Sequence, residues 1–145
     1  AYYYAGLAAE AGGRKAEAEK LWKESAGALL GTDEEPHPSV DTGAALLYYQ
    51  ARSLEKLGQS ARAQQLYKAL LAAAEKALEG RRESEFFAKF GEGRPQWMRQ
   101  ANAHLAAGLA DLGLGRREQA RAAFRKALEL NPYLLEARLK LDELR

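Results

Sequence analysis

Residues 101–132 read ANAHLAAGLADLGLGRREQARAAFRKALELNP. The stretch divides into two helical segments joined by a short turn at Gly113–Arg117. In the second segment Ala120, Phe124, Ala127 and Leu128 recur at helical spacing and form one apolar stripe. Gly108 and Ala120 are small where the two helices have to approach closely. Asn131-Pro132 ends the unit, because proline cannot continue a helix. The reading is a helical hairpin.

Working outward, the same frame fits AYYYAGLAAEAGGRKAEAEKLWKESA at 1–26 and LLYYQARSLEKLGQSARAQQLYKALL at 46–71. Gly13, Gly58 and Gly115 then mark three equivalent turns, where a residue able to take positive φ is wanted. Gly6, Ala51 and Gly108 are the small residues at one equivalent place, and Trp22, Tyr67 and Phe124 the large aromatics at another.

These residues resemble the tetratricopeptide repeat. In its frame Gly108 and Ala120 are the small residues, Gly115 the turn glycine and Phe124 the large aromatic. Ala127 and Pro132 complete the match. His104 stands where a tryptophan or large apolar residue is usual, and Asp111 where tyrosine is usual. Standard repeats recur every ~34 residues, whereas the turn glycines here lie 45 and then 57 residues apart. Both connectors therefore carry insertions. The first, Gly31 to Gly43, is polar and proline-bearing and reads as a surface loop. Before the second, helix B of repeat two runs long and Gly80 caps it. A short helical turn around Glu83–Phe90 follows, and Pro95 starts a long helix from about Gln96 to Leu112. The expected fold is an all-α superhelix, an α-α array of three hairpins at about 1–30, 44–79 and 101–132. A capping helix at about 133–145 completes one domain.

Composition agrees. Ala, Leu, Glu, Lys, Arg and Gln dominate, valine occurs once and isoleucine not at all, so helix is favoured and a sheet is not. The formal net charge of +2 is too small and too mixed to indicate a nucleic acid or an anionic membrane as partner. With no cysteine there is no disulfide, thiolate nucleophile or Cys-ligated zinc. A cytoplasmic location is the expectation. No apolar run is long enough to span a bilayer.

A narrower resemblance is to the C-terminal repeat region of bacterial proteins that begin with a DUF5107 domain. It is carried by the two stretches above and by EFFAKF with the hairpin that follows it. The segment between Phe90 and Met98 departs from that pattern. The resemblance implies a fragment of a bacterial multidomain protein whose β-rich N-terminal part is associated with carbohydrate.

Chemistry is sparse. His37 stands near Asp33, Glu34, Glu35 and Asp41, without the ligand spacing of a zinc or calcium site; a solvated acidic loop is the simpler reading. His104 is an interface histidine without an orienting partner or nucleophile beside it. The glycines of AGGR and GLGRRE match no phosphate loop. No catalytic residue, cofactor or metal is expected, and the reading is not an enzyme.

What remains is the concave face. The resemblance places there Tyr3, Leu7 and Glu10, then Ala45, Tyr48, Arg52 and Glu55, then Asn102, Leu105, Leu109 and Leu112. Its aromatic and aliphatic character suits an apolar or helical peptide, a protein partner, or a neighbouring domain of the same chain. It lacks the lysine and asparagine pattern of a carboxylate clamp. Tyr2 is expected in the core. The alternative function is purely architectural or homo-oligomeric. FFAKFGEGRPQW, Phe86 to Trp97, has two readings. Phe86, Phe87, Phe90 and Trp97 are either a packed plug between repeats two and three or a partner-binding loop.

Overall fold

The computed structural model describes residues 1–30, 36–41, 43–80 and 95–145. Seven α-helices appear among them: α1 (Tyr2–Ala11), α2 (Lys15–Ala26), α3 (Ala44–Lys56), α4 (Ser60–Glu79), α5 (Gln96–Gly113), α6 (Arg117–Leu130) and α7 (Leu135–Glu143). A 3-10 turn, Gly27–Leu29, follows α2. No strand occurs among the described residues. The helices form an all-α superhelix in which α1/α2, α3/α4 and α5/α6 are hairpins.

The three hairpin turns are the same object. Gly13, Gly58 and Gly115 have φ of 77, 81 and 78°. The residue after each glycine donates its N–H five residues back: Arg14 to Ala9, Gln59 to Leu54 and Arg116 to Asp111, at 2.9, 2.8 and 2.8 Å. This is the Schellman closure, which uses a left-handed glycine to satisfy the last carbonyls of a helix. The turn is thus written locally, by one glycine, before any tertiary contact forms.

Close approach inside the first and third hairpins follows from a small residue facing a large ring. A Cβ added at Gly108 would lie 2.5 Å from the Phe124 ring, so the helices meet where a side chain is missing. Gly6 bears the same relation to Trp22. Gly113, at the end of α5, packs instead on the ring of Tyr67 from the preceding hairpin.

The buried side chains fall into two clusters. One is continuous from Ala26 through α3, α4, α5 and α6 to Ala137 and Leu144, with Tyr67, Phe124, Leu54, Leu66, Leu70 and Leu109 fully enclosed. The other is small: Tyr3, Ala9, Ala18 and Trp22, inside the first hairpin. Tyr49 and Leu57 pack against both clusters and join them.

Several expectations can be placed. Helix α4 runs 20 residues and stops before Gly80, as the sequence suggested, although Gly80 closes it at φ −65°, without a left-handed cap. Pro95 precedes α5, which ends one residue beyond the expected Leu112. Tyr2 is not a core residue: it is 54% exposed. The core of this hairpin takes the next tyrosine, Tyr3. The helical turn expected around Glu83–Phe90 lies outside the described residues, as do Asp33, Glu34 and Glu35. No helix among the described residues is long and apolar enough to cross a membrane.

Candidate interaction face

The first helices of the hairpins, α1, α3 and α5, carry the residues assigned to the concave face. Tyr3, Tyr48, Leu105 and Leu109 are buried there. Leu7, Arg52, Glu55 and Asn102 are half-buried. Arg52 donates through Nη1 to the Glu55 carboxylate at 2.9 Å, which fixes its guanidinium along α3.

The face is already occupied. The C-terminal helix α7 was expected as a cap on the last hairpin, and it does pack on α6. It also reaches across to the first two hairpins through three long polar side chains. Tyr49 donates its hydroxyl proton to the Glu136 carboxylate. Lys140, only 3% exposed, donates from Nζ to the Tyr4 hydroxyl at 3.1 Å and to Glu143 at 3.0 Å. Tyr4 stands 3.2 Å from the Tyr49 hydroxyl and 3.5 Å from Glu143. Because the Tyr49 proton is committed to Glu136, Tyr49 can only accept from Tyr4, whose single proton points to Tyr49 or to Glu143. Each hydroxyl is thus both donor and acceptor.

The rings around this network form a box. Tyr3, Tyr4, Tyr48 and Tyr49 meet with centroids 5.2–5.6 Å apart. Lys140 Nζ lies 5.7, 5.3 and 5.1 Å from the ring centroids of Tyr4, Tyr48 and Tyr49. That is cation–π range for all three. Burial pulls the Lys140 pKa down, but hydrogen bonds to Tyr4 and Glu143 and the neighbouring tyrosines outweigh it, so the net shift is upward. The lysine is charged. Burial pushes the Tyr48 hydroxyl up to about 12. Burial first, and then the bond to Glu136, raises Tyr49 well above the ordinary value.

What remains open on this face is a cavity of about 290 Å³ beside the end of α7, bordered by Arg52, Leu112, Arg117 and Glu143. The end of α7 is held by Arg121, whose Nη2 donates to the Leu144 carbonyl at 2.6 Å.

Sequence reasoning missed Glu136, Lys140 and Glu143. A signal existed: they sit at i, i+4 and i+7, on one face of a helix that should otherwise turn its polar side to water. Tyr4 and Tyr49 left the sequence without an assigned side, and both belong to the box. Trp97 lies in the first turn of α5 and is 47% exposed. Phe86, Phe87 and Phe90 lie outside the described residues. His37 is exposed, and among the described residues no group of three or more metal-ligating side chains gathers. His104 is half-buried; desolvation first, then Lys126, lowers its pKa.

Tetratricopeptide-repeat family models match residues 101–134 and 45–75. The third and second hairpins thus match the tetratricopeptide repeat, and the first shares their turn geometry. Repeats of this class generally mediate protein–protein interaction or scaffolding. The comparisons with curated proteins and with solved structures found no match.

Proposed function

We propose that this domain is a protein-interaction or scaffolding module of a larger bacterial multidomain protein. Its partner, or a neighbouring domain of its own chain, docks on the concave face. The observation that carries this reading is that the face already holds a helix. Besides the core contacts of Ala137, Leu141 and Leu144, directional polar contacts and ring–cation stacking hold it against the first two hairpins. Arg52, Glu55 and Asn102, half-buried on α3 and α5, are the side chains a docked segment would meet next. The bacterial and carbohydrate-associated setting rests on the resemblance to the repeat region of DUF5107 proteins alone.

A photo-crosslinking residue tests it. Asn102→p-benzoylphenylalanine in the full-length parent protein should yield adducts with a partner or neighbouring domain. The same residue at Lys20, exposed on the second helix of the first hairpin, should not. Adducts from position 20 and none from 102 would remove the concave face from consideration. Arg52→Ala should weaken the same docking about tenfold, the scale of one lost charge-assisted hydrogen bond, with the helical circular dichroism unchanged.

A second reading, self-association, has one observation in its favour. Tyr133, Leu135 and Leu139, on and just before α7, are 92, 66 and 48% exposed. Light scattering decides it: a mass that stays monomeric across a hundredfold range of concentration sets self-association aside.

A further inference from the structure

The turn glycines align the three first helices. Five residues before Gly13, Gly58 and Gly115 stand Ala8, Ser53 and Ala110, and two residues before them stand Ala11, Lys56 and Gly113. In the second and third hairpins the junction with the preceding hairpin falls here. Helix α3 packs on α2, and α5 packs on α4. Ser53 and Ala110 are fully buried. Lys56 Nζ lies 5.2 Å from the ring centroid of Trp22 in α2, and Gly113 packs on the ring of Tyr67 in α4. Trp22 and Tyr67 are themselves equivalent, each nine residues after its own turn glycine. The step from one hairpin to the next is thus one interface made twice. Each time the aromatic of a second helix rests on the same place near the end of the next first helix.

In α1 that place is bare. Ala8 and Ala11 are exposed, and so is Ala5, one turn before Ala8. Charge does not replace the missing cover. Glu10 is the one charged side chain of YYYAGLAAEA, and it turns to Lys56 on α3. A helix side that faces water is ordinarily polar, and the end unit of a repeat array needs a polar outer face. The open side of α1 is alanine instead. We propose that it is an interface for a fourth hairpin of the same array, carried by the parent protein ahead of α1. The second helix of that hairpin lies along Ala5, Ala8 and Ala11 as α4 lies along α5. It sets a large ring on Ala11 as Tyr67 sits on Gly113, a contact that asks for a residue with little side chain. The proposal rests on the reading of this chain as part of a larger protein. It concerns a different side of α1 from the concave face.

The chain has no cysteine, so Ala8→Cys reports on this side alone. Maleimide labelling is timed by the mass of the peptide that contains residue 8. In the 145-residue chain the new thiol should react as fast as one at Lys20→Cys, which is exposed on α2. In the full-length parent it should react at least about tenfold more slowly, because it is reached only when the added hairpin opens. Lys20→Cys should keep its rate. Equal rates at position 8 in the chain and in the parent overturn the proposal. Ala11→p-benzoylphenylalanine in the parent then names the occupant, with Ala5→p-benzoylphenylalanine as companion where a ring at position 11 blocks the packing. An adduct to a residue ahead of α1 in the same polypeptide supports the fourth hairpin. An adduct to a second copy or to another protein overturns it, as does labelling of the 145-residue chain that slows with rising concentration. An unprotected position 8 beside adducts from position 102 would leave docking on the concave face in place and remove only the added hairpin.

Discussion

The first and third hairpins share a frame and differ in what surrounds them. In the third, Phe124 is fully enclosed and belongs to a core that runs unbroken from α3 to Leu144. In the first, Trp22 is 5% exposed and sits in a cluster of four buried residues. The same small-to-large pairing closes both. The third hairpin is therefore stable as part of the whole, and the first as an attachment. A repeat array is a sum of units and interfaces, so its terminal units open first.

Removing the two aromatics should expose that difference most strongly. Truncating a buried Phe or Trp to alanine costs about 3–5 kcal/mol. Phe124→Ala should lower the global unfolding free energy by that amount, read from the shift of the denaturation midpoint at unchanged slope. Trp22→Ala should instead release the first hairpin alone: amide hydrogen exchange should quicken over residues 2–26 while α5 and α6 keep their protection. A uniform loss of protection in the tryptophan variant would mean one cooperative unit and would erase the comparison.

The next effect is alkaline. The tyrosines with raised pKa values, Tyr48, Tyr49 and Tyr67, all lie on α3 and α4. For Tyr67 burial is again the first cause. The ordinary tyrosine ionises at 10.0 and folded Tyr48 at about 12. Between those values the native state binds more protons than the unfolded one. Stability that is fully present below pH 10 is then lost as pH rises through about 12, and further for the other two. Alkaline melting should therefore begin in the continuous core, not in the first hairpin. Absorbance at 295 nm should show these tyrosines ionising together with unfolding, and Tyr67→Phe should flatten the decline. A decline unchanged by that variant would assign the loss to other groups.

Lys140→Ala comes third. It deletes three ring contacts and a packed stem and leaves Glu143 about half exposed, so no strongly buried charge is stranded. The expected loss is about 1–2 kcal/mol. Its signature is regional: faster exchange in α7 and in α1, with α4 and α5 unchanged. A loss confined to α7 would show that the box does nothing for the first hairpin.

Much of this was legible before any coordinates. The turn glycines encode a local backbone conformation, and Gly108 with Phe124 encodes a distance. Both kinds of information travel along one or two helices. Helix α7 was legible as a helix and as a cap. Its grip on Tyr4 and Tyr49 was not, because the contacts span 136 and 87 residues and depend on how far the superhelix curves. Tyr2 and Tyr3 show the same limit. One residue of helical rotation separates a core ring from an exposed one, and which side is covered depends on what packs against α1.

The smallest effect concerns how the first hairpin is fastened to the second. Lys56 Nζ lies 2.7 Å from Glu10 and 5.2 Å from the Trp22 ring centroid, so one cation serves an ion pair and a stack. The pair is partly exposed, with side chains 33 and 44% accessible, which places it in the range of about 0–1 kcal/mol. Stacking at such a site adds roughly 0.5–1 kcal/mol. Lys56→Ala removes both and Glu10→Gln only the first, so the lysine variant should open the first hairpin more often. Salt separates them further: screening weakens the exposed pair and leaves the ring contact largely intact. In 1 M salt, at a Debye length near ~3 Å, Glu10→Gln should become indistinguishable from wild type in the exchange of α1 while Lys56→Ala does not. Equal effects of the two variants at low salt would mean that Trp22 gains nothing from the cation. The first hairpin would then be fastened by charge, by Tyr49 and Leu57, and by the contacts of Tyr4 with α7.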